Sequence, residues 1–200
     1  MATTTQKSGL TFKHKVGYAM GDLGGCMTFA LMGAMVTRYY TNVLQVNTAV
    51  LATLLLVWNI WDAVNDPMMG ALMDKMYAKH HNKNGKFRPW LKRMCGPVAI
   101  ASFLIFQSGL AGMSYGFKVA WLFVTYILWG SIFYTSVNIP YGSMASAISA
   151  DPKDRAELST WRTIGSTLAG LVIGVGTPMV AYVTVNGQTV LSGSRMTIIA

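Results

Sequence analysis

Five long apolar runs, at residues 16–40, 49–73, 89–110, 119–148 and 159–183, occupy most of this 200-residue chain. A helix needs about 20 mainly apolar residues to cross the hydrocarbon core of a bilayer, and each run meets that length. The runs show no polar–apolar alternation and are too long for barrel strands, so the sequence reads as an all-α, polytopic membrane protein. A sixth run starts near Met196 and continues to Ala200. Composition agrees with this class: 52% of residues are hydrophobic and 12% charged, where soluble domains carry about 25% charged residues. Cys26 and Cys95 lie inside apolar runs, which argues against a secreted disulfide framework. The run after the polar N-terminus is longer than the roughly 7–15 residues of a signal-peptide core, so it is read as a retained span.

Sixteen Lys and Arg against seven Asp and Glu give a formal charge of +9. In a soluble chain that balance would suggest a nucleic-acid partner. Here the charge follows the connections. The N-terminus carries Lys7, Lys13, His14 and Lys15, and the loop at about 74–93 carries Lys75, Lys79, Lys83, Lys86, Arg88, Lys92 and Arg93. The fourth connection adds Lys153 and Arg155, whereas the stretches 41–48 and 184–194 carry only Thr, Asn, Val, Leu, Gln, Gly and Ser. Positive loops stay cytoplasmic, which places the N-terminus and the second and fourth connections inside. The basic charge is then a topology signal; the expected surroundings are lipid, with no nucleic acid.

Ionisable groups within spans are costly and mark functional sites by default. The second run contains Asp62 and Asp66 in NIWDAVNDPMMG. Each aspartate near a helix centre costs about 2.5–3.5 kcal/mol on insertion scales. Residues four apart share a helix face, so the two carboxylates project together and repel unless a cation or proton lies between them. Hard cations prefer oxygen ligands, so Na⁺, Li⁺ or H⁺ fits better than a soft metal. The alternative is a structural ion pair with an arginine on another helix. Asn65 and Pro67 flank the pair, and Pro67 frees backbone carbonyls.

The fourth run ends in YTSVNIPYGSM, where Tyr134 and Asn138 share a face with Thr135 beside them, and Pro140 and Gly142 are expected to break the helix. Arg162 lies in the fifth run; its planar fork suits sugar hydroxyls or a carboxylate, or it pairs with Asp62 or Asp66. Asp22, among glycines in GYAMGDLGGCM, reads equally as a helix-packing anchor or a substrate-path residue. H-E-x-x-H, G-x-S-x-G, the P-loop and the dinucleotide fingerprint are all missing from the sequence, so nothing supports an enzyme.

At these residues the chain resembles a known family. YAMGDLGG in the first span, WDAVNDPMMGALMDK through the second, GKFRPW in the basic loop and NIPYGSM at the end of the fourth resemble the glycoside–pentoside–hexuronide:cation symporters of the major facilitator superfamily, the melibiose-permease type. The resemblance runs in order from about residue 16 to 170. It implies twelve spans in two six-helix halves with alternating access to a central site, so that this chain is an N-terminal half, five spans and the start of a sixth, lacking its C-terminal partner half. It implies a cation site at Asp62, Asp66 and Thr135, taking Na⁺ or H⁺ with Li⁺ as a further candidate, and no other cofactor. It places the substrate site at Tyr134 and Arg162, with Cys26 and Asn138 by position. The melibiose carriers have a Lys–Asp pair where this chain has Gly25 and Cys26, and an aspartate and a tryptophan where it has Asn138 and Gly142. Cation coupling is therefore expected, and the identity of the sugar or glycoside does not follow. The competing readings are a major-facilitator carrier of a non-sugar solute, and a channel or scaffold without coupled transport.

Overall fold

The computed structural model describes residues 10–79 and 87–200, with 77–79 as backbone only. Lys7, His80, Lys83 and Lys86 of the basic segments lie outside the described residues. Helices α1 (Phe12–Asn42), α2 (Thr48–Lys79) and α3 (Arg88–Ile105) form the first three spans. A 3-10 turn, Ser108–Gly112, follows α3. The fourth span joins α4 (Tyr115–Ile127), a π-helical segment (Leu128–Tyr134) and α5 (Thr135–Ile148). The fifth joins α6 (Pro152–Leu171), a second π-helical segment (Val172–Gly176) and α7 (Thr177–Ala181). Strands β1 (Tyr182–Val185) and β2 (Gln188–Leu191) then lead into α8 (Gly193–Ile199). Among the described residues five helical stretches are long and apolar enough to cross a membrane.

Two expectations are corrected. Pro140 and Gly142 do not end the fourth helix: α5 passes through both to Ile148, and the irregularity falls earlier, in the π-helical turn. The fifth run ends at Ala181 rather than 183, because Tyr182 and Val183 enter an antiparallel hairpin with Tyr182 opposite Leu191. Asn186 (φ 52°) and Gly187 (φ 77°) form its two-residue turn, and positive φ at both central positions matches the twist of a tight hairpin. Residues 184–194 read as an uncharged loop because a four-residue strand leaves almost no periodic signal.

Local chemistry accounts for several boundaries. Asp151 caps α6, its carboxylate accepting from the Lys153 N–H at 2.9 Å, and Pro152 follows at the first helical position, where a missing N–H costs nothing. Ser192 caps α8 in the same manner. Pro67 leaves α2 unbroken, yet removes the donor that the Ala63 carbonyl would otherwise use.

Helix α1 packs along α6, and a glycine permits the close approach. A Cβ at Gly165 would run into the Ala19 carbonyl, so only a residue without a side chain fits. The larger core gathers Met35, Tyr39, Tyr40, Leu51, Phe106 and Leu122, all fully enclosed. A smaller cluster, Leu10, Tyr18, Tyr141 and Leu158, ties the opposite end of α1 to α5 and α6. Helix α2 is the outlier: 11% of its apolar window is buried, against 28–33% for the other spans, so this chain alone leaves most of its surface uncovered.

Candidate functional site

Among the described residues two polar clusters lie within the spans, and they meet at the junction between the π-helical turn and α5. The first joins α2 to the fourth span. The Ser131 hydroxyl donates to Asp62 Oδ1 at 3.1 Å, and the Thr135 hydroxyl reaches Asp66 Oδ1 at 3.3 Å. Asn65 Nδ2 donates to the Ser131 carbonyl at 2.6 Å. Two carboxylates four residues apart thus face two hydroxyls four residues apart, in the same order along the chain. Ser131 and Thr135 are buried, Asp62 is half-buried and Asp66 exposed, so the carboxylates look out from the uncovered side of α2.

Among the described residues no Lys, Arg or His nitrogen forms an ion pair with Asp62 or Asp66. That overturns one alternative for Arg162. Its guanidinium is occupied elsewhere: Nε donates to Asp22 Oδ1 at 3.0 Å and NH2 to Asn138 Oδ1 at 3.3 Å.

The second cluster is built around that pair. Asp22, on α1, also accepts from the Cys26 thiol at 3.4 Å, so four sequence-predicted residues, Asp22, Cys26, Asn138 and Arg162, form one connected group. The Arg162 guanidinium sits 5.4 Å from the centre of the Tyr141 ring, a cation–π arrangement. Tyr141 in turn stacks on Tyr18 at 4.8 Å, and its hydroxyl donates to the Tyr18 carbonyl. Gly142 lies beside the guanidinium; a Cβ there would make ordinary contact with NH1 at 3.5 Å. Tyr134 stacks between Phe29 (5.4 Å) and Trp129 (5.2 Å), and with Cys26 and Asn138 it lines a narrow cleft between α1 and α5.

The predicted residues therefore fall into two groups: Asp62, Asp66 and Thr135 in one, Cys26, Tyr134, Asn138, Arg162 and Asp22 in the other. Tyr134 and Thr135 are consecutive, so the backbone at the start of α5 joins the two groups. Sequence reasoning missed Ser131 and the part taken by the π-helical turn. A signal was present, since Ser131 and Thr135 repeat the four-residue spacing of Asp62 and Asp66. Sequence also left Asp22 between two readings, and the structure places it as the partner of Arg162.

Comparison with known proteins places the chain in a family. Residues 17–200 match the family model described as MFS/sugar transport protein. The chain is 32% identical over 182 residues to an isoprimeverose transporter of Lactiplantibacillus pentosus, covering 90% of this chain and 36% of that one. It is 36% identical over 159 residues to a glucuronide carrier protein homolog of Escherichia coli (strain K12), covering 80% of this chain and 34% of that one. To the uncharacterized symporter YjmB of Bacillus subtilis (strain 168) it is 34% identical over 187 residues, covering 89% of this chain and 40% of that one. The chain thus spans between a third and two-fifths of the length of these relatives. With five apolar spans, the motifs in order and a family match over nearly its full length, this chain belongs to the MFS/sugar transport proteins, in the glycoside–pentoside–hexuronide:cation symporter family, a family of membrane transporters and not of enzymes.

Proposed function

We propose that this chain forms the N-terminal half of a cation-coupled carrier that moves a sugar or glycoside across the membrane by alternating access. The observation that carries the proposal is the pair of carboxylate–hydroxyl contacts between α2 and the fourth span, Asp62 with Ser131 and Asp66 with Thr135, which have no cationic side chain to balance them among the described residues. Two like charges on one helix face are offset by a bound cation or a proton. An oxygen-only donor set suits Na⁺ or Li⁺, and a proton serves the same electrostatic purpose. The Arg162 group supplies hydrogen-bond donors and aromatic faces of the kind sugars use. The names of the isoprimeverose transporter and the glucuronide carrier homolog support a glycoside as the substrate class.

Coupling follows from adjacency. A cation held at Thr135 fixes the junction of the π-helical turn and α5, and with it the neighbouring Tyr134. The filled site then favours the conformation that accepts substrate, which is coupling expressed as differential affinity between states. The uncovered face of α2 is where the second half would complete the cavity, and the basic N-terminus and the 74–93 loop would face the cytoplasm. Purified full-length protein in liposomes tests the reading through uptake of labelled methyl glycosides under an imposed Na⁺ or H⁺ gradient. Accumulation above equilibrium under one of the gradients is the expected result. Uptake that stays at equilibrium whatever the gradient would show a carrier without coupling.

A further inference from the structure

We infer that Ser131 is a further member of the cation site, a second neutral oxygen that pairs with Asp62 as Thr135 pairs with Asp66, brought into register by the π-helical turn at Leu128–Tyr134. The inference rests on the cation-coupled reading above and adds a residue to it.

What Ser131 does with its proton sets it apart. Serine and threonine inside helices ordinarily bond back to the carbonyl of their own preceding turn. Thr53 bonds to Ala49, Thr125 to Trp121, Ser143 to Ile139, Ser159 to Arg155 and Thr163 to Ser159 in that way. Ser131 instead donates across the helix interface to Asp62 Oδ1 at 3.1 Å, although it is only 4% exposed. A buried hydroxyl that forgoes the local acceptor and points at a carboxylate on another span is placed by tertiary structure.

The π-helical turn explains how. A segment with one extra residue per turn rotates the side chains on either side of it relative to an unbroken α-helix, and such turns are frequent at functional sites. Here the turn ends at Tyr134, and the Thr135 hydroxyl bonds the Gly130 carbonyl, five residues back, at 2.9 Å. Thr135 has one hydroxyl proton and two acceptors in reach, Gly130 O and Asp66 Oδ1. With the proton on Gly130, the Thr135 oxygen turns a lone pair towards Asp66 and whatever cation that carboxylate holds. Ser131 serves the other carboxylate: its proton orients Asp62 Oδ1 while its lone pairs remain free for a hard cation. Asn65, between the two aspartates on α2, fixes the turn by donating to the Ser131 carbonyl at 2.6 Å.

The test is calorimetric titration of purified full-length protein with NaCl and with LiCl, choline chloride keeping ionic strength constant. Ser131→Ala should raise the half-saturating Na⁺ concentration about tenfold, the size expected when a hydrogen bond to a charged group is lost. Ser131→Thr, which restores the hydroxyl, should stay within about twofold of native. Ser131→Cys keeps the size but replaces a hard oxygen by a soft sulfur, and should behave like the alanine variant. A role in packing alone predicts the reverse order, with cysteine tolerated. Native Na⁺ affinity in both the alanine and cysteine variants, while Asp62→Asn and Asp66→Asn abolish binding, would overturn the assignment of Ser131 and leave the cation-coupled reading intact. Native protein that gives no heat with either cation would overturn the assignment of Ser131 as an ion-binding oxygen and confine the coupling ion to a proton, whereas aspartate variants that bind as native does would overturn the cation-coupled reading itself and the assignment with it.

Discussion

Asp22 on α1 accepts the Nε–H of Arg162 on α6 at 3.0 Å, and the carboxylate is almost wholly enclosed while the guanidinium stays one-third exposed. The pair therefore joins an enclosed acid to a partly exposed base. It gives Arg162 a fixed orientation, with Asn138 on one edge and the Tyr141 ring on its face. It also gives a buried acid its counter-charge, so neither partner can be lost without exposing the cost of the other.

Removing one partner should therefore harm the protein more than removing both. Asp22→Asn and Arg162→Gln are each expected to lower the thermal midpoint of the full-length protein by several degrees, and the double variant to lie above the sum of the two losses. Thermal unfolding monitored by size-exclusion of a fluorescent fusion reads this directly. Strict additivity would show that the two residues do not act as a pair.

Arg162→Lys separates charge from geometry. Lysine keeps a cation near Asp22 but lacks the planar fork that reaches Asn138 as well, so glycoside binding should weaken at least about tenfold while the midpoint changes little. Equilibrium binding of a labelled methyl glycoside measures the first quantity. Unchanged affinity would assign the arginine to packing.

The contact of α1 with α6 makes a sharper stability prediction. Gly165 has no space for a Cβ against the Ala19 carbonyl, whereas a Cβ at Gly170 meets nothing within 4 Å. Gly165→Val should abolish folded protein in the same fluorescence assay, and Gly170→Val should fold near the native midpoint. Equal behaviour of the two variants would contradict the close helix approach.

Topology gives a further check. Cysteines placed near Lys83 should react with impermeant thiol reagents only from the cytoplasmic side, and cysteines near Asn42 or at the Asn186–Gly187 turn only from outside. Labelling near Lys83 in intact cells would invert the orientation.

Much of this architecture was legible in the sequence, for a physical reason. A span is specified by length and hydropathy, both local properties, so the five runs found their helices, although α2 continues from 73 to Lys79 and the fifth span begins at Pro152 rather than at 159, because polar helical turns outside the hydrocarbon core carry no hydropathy signal. The aspartates stood out because charge in lipid is costly wherever it occurs. The rest depended on register between helices, which local pattern does not encode. The sequence offers Arg162 a pairing with Asp62 or Asp66, and only packing of α1 along α6 brings Asp22 to it instead. The π-helical turn is equally hidden, since LWGSIFY reads as ordinary apolar helix, and Ser131 passed as a small residue within it.

The central claim is that Asp62 and Asp66 act as one cation site, and sodium stimulation of glycoside binding tests it most directly. Full-length native protein, Asp62→Cys, Asp66→Cys and the double variant are compared by equilibrium binding of a labelled methyl glycoside, with Na⁺ and with choline in its place. The account predicts that Na⁺ tightens binding in the native protein, and that both single variants keep some glycoside affinity but lose the response to Na⁺. The double variant should be little worse than either single one, because two residues serving one ion do not contribute independently. Undiminished sodium stimulation in both single variants would contradict the account and confine the two carboxylates to helix packing.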